Sequence, residues 1–139
     1  MKTIAIAAGL CLCAAPALAE GDLANLPESL EPIVLGIGDN TLGVSVNEHR
    51  LETGKAYSLV IESTGSRECA WEAPSFFQNA WIRKIEVGTV EIKVQGLNEI
   101  EMEREGEAEI FFVPIRPGTY QWACSGLEER GMAGQFIVK

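Results

Sequence analysis

Apolar and polar residues alternate with a period of two along much of this chain, the period of a half-buried strand. Leu42, Val44 and Val46 alternate with polar neighbours, and residues 57–62 and 107–113 do the same. Residues 33–37 form a short apolar run that stops at Gly38, Asp39 and Asn40. Residues 81–87 and 90–94 are two further strand candidates on either side of Gly88 and Thr89, and residues 100–103 are a weaker one. Residues 119–123 and 135–138 complete the set. Only residues 75–80 read as helical, and Pro74 before them suits the first turn of a helix. About eight short strands separated by turn residues, with one short helix, predict an all-β fold, a two-sheet sandwich or a barrel. There is no internal repeat, no low-complexity tract and no sign of a second domain.

The first residues follow a different pattern. Lys2 is followed by an apolar stretch over residues 4–15 and then by Ala17, Leu18 and Ala19. That order predicts a cleavable signal peptide over residues 1–19, cut after Ala19, and hence a periplasmic or secreted protein. The apolar stretch is too short to span a bilayer, so no membrane insertion is expected once the signal is removed. Residues 20–32 are polar and contain proline, which predicts a flexible lead-in. Residues 33–139 are enough to enclose one core and are expected to form one domain.

Charge narrows the partners. The whole chain carries a net charge of −9, and Lys2 is the single basic residue before residue 20, so the segment expected after cleavage is one unit more negative. Such a surface argues against nucleic acid and anionic membranes and leaves a protein partner open. Four cysteines are present, of which Cys11 and Cys13 leave with the signal peptide, while Cys69 and Cys124 remain. In an oxidising compartment a remaining pair reads first as a disulfide. His49 is the only histidine, which excludes a His-rich metal site.

Residues 112–139 resemble the C-terminal end of a cupredoxin, the periplasmic blue-copper-like family. In that family a strand ends in a cysteine, a loop reads Cys-x-x-His-x-x-x-x-Met, and a last strand closes the domain. Here Cys124 and Met132 stand at the cysteine and methionine positions, and Leu127 stands where the histidine belongs. Upstream, Ala73-Pro74-Ser75-Phe76-Phe77 and Arg83-Lys84 are similar to a subgroup in which a second histidine precedes the Ala-Pro pair by four residues. Cys69 occupies that position. The resemblance covers residues 44–139. It implies a cupredoxin-type Greek-key β-sandwich and a type-1 copper centre with both histidine ligand positions substituted.

A type-1 centre uses one thiolate, two imidazoles and a weak axial thioether. The resemblance therefore leaves Cys69, Cys124 and Met132 at ligand positions, with three readings open. Two cysteines at neighbouring ligand positions are near enough to form a disulfide, with no cofactor; this is the preferred reading. Alternatively Cys69, Cys124 and Met132 form a soft sulfur set suited to monovalent copper, with Glu68, Glu128 or Glu129 adding an oxygen, in a copper-binding or electron-transfer protein. A redox-active disulfide is the third reading, which the absence of a Cys-x-x-Cys spacing disfavours. Without the metal, Met132 serves as apolar filling, and Gly131 and Gly134 serve a tight loop.

The remaining residues suggest structure rather than chemistry. His49 lies between charged residues and is expected to be exposed. Tyr120 falls where the family keeps a corner tyrosine, with Trp122 next in alternation. Phe76 and Phe77 are expected to pack the helix onto the sandwich. Trp71 and Trp81 read either as core or as surface anchors for a partner. No nucleophile–histidine pair, phosphate loop or zinc spacing is present, so the chain is expected not to be an enzyme. The functional expectation is an exported, disulfide-stapled accessory domain that binds an unidentified periplasmic protein, such as a component of a metal-uptake or respiratory assembly.

Overall fold

The computed structural model describes residues 26–139. The expected signal peptide, its cleavage point and the start of the lead-in lie outside the described residues. In chain order the strands are β1 (Glu28–Ser29), β2 (Ile33–Ile37), β3 (Gly43–Val44), β4 (Glu48–Leu51), β5 (Tyr57–Ser63) and β6 (Cys69–Glu72). They continue as β7 (Ala80–Val87), β8 (Val90–Ile92), β9 (Glu99–Met102), β10 (Gly106–Pro114), β11 (Gly118–Cys124) and β12 (Ala133–Val138). One helix, α1 (Pro74–Phe77), lies between β6 and β7, and a single 3-10 turn spans Glu128–Arg130.

Two sheets face each other. The first runs β3-β2-β5-β10-β7-β8, with β1 paired to β5 as a seventh strand; the second runs β4-β12-β11-β6-β9. Both are mixed, because β2 and β5, and β12 and β4, pair in parallel while most other pairs are antiparallel. Neighbours in space are seldom neighbours in sequence, so the chain crosses repeatedly between the sheets and encloses one core.

The period-two pattern decides what fills that core. Tyr57, Leu59 and Ile61 of β5 and Ala108, Ile110 and Phe112 of β10 are buried, and so are Trp71, Tyr120, Trp122, Phe136 and Val138 from the second sheet. Each large side chain taken out of water contributes about 1.5–3 kcal/mol before the entropy cost of ordering it. Phe76 ties the two sheets together from α1. Its ring centre lies 5.2 Å from Phe112 on one sheet, and 4.5 Å from Phe136 and 5.7 Å from Tyr120 on the other. Pro74 opens the helix, which ends within one turn at Gln78. The Tyr120 hydroxyl donates to the Arg116 carbonyl at 2.9 Å, pinning the corner that leads into β11.

Several expectations need correction. Twelve strands are present among the described residues rather than about eight. The additional ones are the two-residue piece β1, the charged strand β4, and β6. The lead-in is ordered at its end: Glu28 and Ser29 pair in parallel with Tyr57 and Ser58, and Leu30 packs against the core. His49 is buried, not exposed. It alternates with Leu51 onto the inner face of β4, its ring lies 5.9 Å from that of Phe136, and its Nε2 bonds the Glu31 carbonyl at 2.7 Å. The polar residues around it belong to the other face of the same strand. Trp71 belongs to the core and is fully buried, whereas Trp81 remains partly exposed.

Candidate functional site

The site is assembled at one end of the second sheet, where β11 and β6 run antiparallel. Ala123 and Cys124 pair there with Glu72 and Trp71. Cys124 is the last residue of β11 and Cys69 the first of β6. Inward alternation buries both sulfurs' residues, which are 0% and 2% exposed. Their Cα atoms are 5.1 Å apart and their side chains are joined in a disulfide. Cys69 therefore opens a strand.

The loop that follows folds back on Cys124. The Cys124 N–H donates to the Met132 carbonyl at 2.9 Å, and the Leu127 N–H donates to the Cys124 carbonyl at 2.9 Å. The Met132 N–H returns to the Leu127 carbonyl at 3.3 Å. Gly131 closes the 3-10 turn with φ at 103°, a left-handed conformation that glycine adopts without a steric penalty. Glu128 receives a hydrogen bond from the Gly126 N–H at 3.0 Å. Its own N–H and that of Gly126 hold its carboxyl below the ordinary carboxylate value. Gly134, two residues beyond Met132, lies directly against the Trp122 ring and the Asn47 carbonyl, leaving no room for a Cβ.

Met132 is fully buried and Leu127 is packed against the core cluster. Register adds a residue that sequence reasoning missed. Met102 of β9 is the cross-strand partner of Cys69 and is also buried. The only signal for it was the weak alternation of residues 100–103, which gives no hint of which strand β9 will join. Outside the disulfide an open groove of about 490 Å³ is lined by Ser66, Arg67, Glu68, Glu101, Ser125 and Leu127. The Glu68 charge, followed by some loss of hydration and the charges of Glu99 and Glu103, raises the exposed Glu101 carboxyl above its ordinary value. Glu68 faces this groove, Glu128 caps the turn, and Glu129 is exposed.

These residues do not fit a type-1 copper centre. The sulfurs of Cys69 and Cys124 are bonded to each other, so neither is available as a thiolate. Leu127 has no donor atom. His49 lies on β4, three strands from β6 in the sheet order, with its Nε2 engaged by the Glu31 carbonyl. Among the described residues no group of three His, Cys, Asp or Glu side chains is placed to hold a metal ion.

Comparison with solved structures identifies the architecture. The chain is similar to a multicopper oxidase from Pseudomonas thermotolerans (TM-score 0.62, 15% identity), covering 91% of this chain and 33% of that one. It is also similar to a laccase from Pediococcus acidilactici (TM-score 0.62, 12% identity), covering 99% and 32%, respectively. A multicopper oxidase from Campylobacter jejuni, described as a metallo-oxidase, matches with a TM-score of 0.58 and 11% identity over 85% of this chain and 31% of that one. The fold is cupredoxin-like. No protein-family model matches the chain, and no curated protein is similar to it in sequence. The expectation that the chain is not an enzyme is corrected here, because the solved structures it resembles include multicopper oxidases and a laccase, which are enzymes. At these identities the likeness carries the fold, and the chain spans about a third of the length of each of these three proteins.

Proposed function

We propose that this chain is an exported cupredoxin-like domain in which a structural disulfide has taken the place of a type-1 copper centre, and that it acts as an accessory domain bound to another periplasmic protein. The observation that carries this reading is the Cys69–Cys124 bridge. It occupies two positions that the family resemblance assigns to ligands, and Leu127 occupies a third. Full burial of Met132 is consistent with an apolar filling role. The acidic surface favours a partner with a basic face. The signal-like order of residues 2–19 supports export.

The decisive experiment is a free-thiol count on the exported, purified chain in native buffer and in denaturant without reductant, followed by titration with monovalent and divalent copper. The expected result is no free thiol and no stoichiometric copper uptake. Two free thiols with tight uptake of monovalent copper, weakened by Met132→Leu, would instead establish Cys69, Cys124 and Met132 as soft ligands. N-terminal sequencing of the same material tests the export step, with Glu20 expected as the first residue.

A further inference from the structure

The far edge of the first sheet carries a feature that the disulfide site does not use. Strand β8 is joined to β7 through the two-residue turn Gly88-Thr89 and, among the described residues, has no strand on its other side. Its residues are all exposed. Val90 is 57% exposed, Ile92 40%, and Val87 across the hairpin 44%. Register puts Val87 opposite Val90 and Ile85 opposite Ile92, so these four side chains share one face. Ile85 is buried, which identifies that face as the inner one. Here the apolar lining continues past the cover of the opposite sheet. An open groove of about 290 Å³ lies between Val87 and the β9 residues Ile100 and Met102.

The order of residues along this edge is self-complementary. Residues 90–94 read Val-Glu-Ile-Lys-Val; Val90–Ile92 form β8, Lys93 follows it exposed, and Val94 is partly buried against the core on the inner side. Laid antiparallel against itself about Ile92, the segment places Ile92 opposite Ile92, Val90 opposite Val94, and Glu91 opposite Lys93. Apolar side chains meet on the inner face, and opposite charges meet on the outer face, where Glu91 already lies 2.7 Å from Lys93 and 3.1 Å from Lys84 within one chain. A contact about a two-fold axis requires this property of one patch facing itself. The backbone alternation agrees. In a two-residue hairpin Val87 and Val90 exchange hydrogen bonds, so the N–H and C=O groups of Glu91 point away from β7, and Lys93, the first residue after β8, extends that alternation by two residues once the edge is paired. In the two-fold arrangement these groups pair across the axis, Glu91 with Lys93 of the other copy and the reverse. Charges on an edge strand normally discourage foreign strands; this pair is neutral as a unit and matches its own copy.

We infer that β8 is a self-association edge, through which two copies of this chain join their first sheets by antiparallel β8–β8 pairing centred on Ile92. The test is sedimentation equilibrium of the purified exported chain and of three variants at about 100 μM, well above a micromolar dissociation constant. The wild type is expected as a dimer. Glu91→Lys and Lys93→Glu each set like charges opposite one another twice per dimer, and each is expected to raise the dissociation constant at least about tenfold. The double variant, Glu91→Lys with Lys93→Glu, restores opposite pairs and is expected to recover the dimer, which separates a lost interface from a damaged fold. A monomeric wild type, or single variants that dimerise as well as the wild type, would overturn the inference.

Discussion

Replacing both bridge cysteines, Cys69→Ala with Cys124→Ala, is the perturbation most informative about this fold. The bridge closes a loop with a sequence separation of 55 residues. Its main effect is to restrict the unfolded chain, and the loop-entropy relation gives about 4 kcal/mol at 25 °C for a loop of that length. Removing two buried sulfur atoms adds a smaller loss of packing in the same direction. For a domain of about 115 residues the unfolding entropy at the midpoint is about 0.24 kcal/mol/K, so the melting temperature should fall by about 15–20 °C. The assay is urea unfolding of the oxidised chain and of the double variant, supported by thermal melts of both. The urea slope should rise slightly in the variant, because its unfolded ensemble is free to expand. A loss below about 1 kcal/mol, with the wild-type protein shown to be fully bridged, would refute the claim that the bridge staples β6 to β11 as a structural element.

Three further outcomes are expected. Gly134→Ala should lose more than about 2 kcal/mol in urea unfolding, because a Cβ there overlaps both the Trp122 ring and the Asn47 carbonyl; a neutral result would mean that β12 can shift away from β4. Met132→Leu should cost less than about 1.5 kcal/mol if Met132 only fills space, since the swap nearly conserves volume, and Met132→Ala should cost about 2–5 kcal/mol. Glu101→Gln should raise the urea midpoint at neutral pH, because Glu68 chiefly, with some loss of hydration, raises the Glu101 carboxyl in the folded state. A carboxyl raised on folding adds stability below its unfolded value that is lost as pH climbs through its folded value. The advantage of Gln over Glu should therefore appear above the ordinary carboxylate range, vanish below it, and shrink in high salt.

Particular residues show how far the pattern along the chain could be read. The runs that became β5, β10, β11 and β12 carry strongly apolar inward positions two residues apart, β2 reads as a continuous apolar run, and β7 carries Ile82 and Ile85 inward on either side of a register shift; their residues announce the sandwich without reference to any partner. Strand β4 was illegible because its inward positions are His49 and Leu51, and a histidine between a glutamate and an arginine looks like surface. Its burial depends on Phe136 beside it and on the Glu31 carbonyl that accepts its hydrogen bond. Strand β6 was missed because its inward residues are Cys69 and Trp71, which local pattern alone does not mark as a strand. The pairing of β1 with β5 was hidden for a similar reason, since two residues have no period.

The sequence by itself determined the class of fold, the one short helix among the described residues, and the absence of enough histidine for a type-1 centre. These are properties of composition and of short-range periodicity, which each residue carries wherever it is placed. Only the tertiary structure decided which residues share the site. It set Met102 across from Cys69, turned His49 inward on a distant strand, and joined Cys124 to Cys69 across two antiparallel strands. It also left β8 on an open edge. The reason is that strand order is settled by packing between segments far apart in the chain. Neighbours across a sheet are selected by how two inner faces fill one core, and no local window of sequence contains both faces.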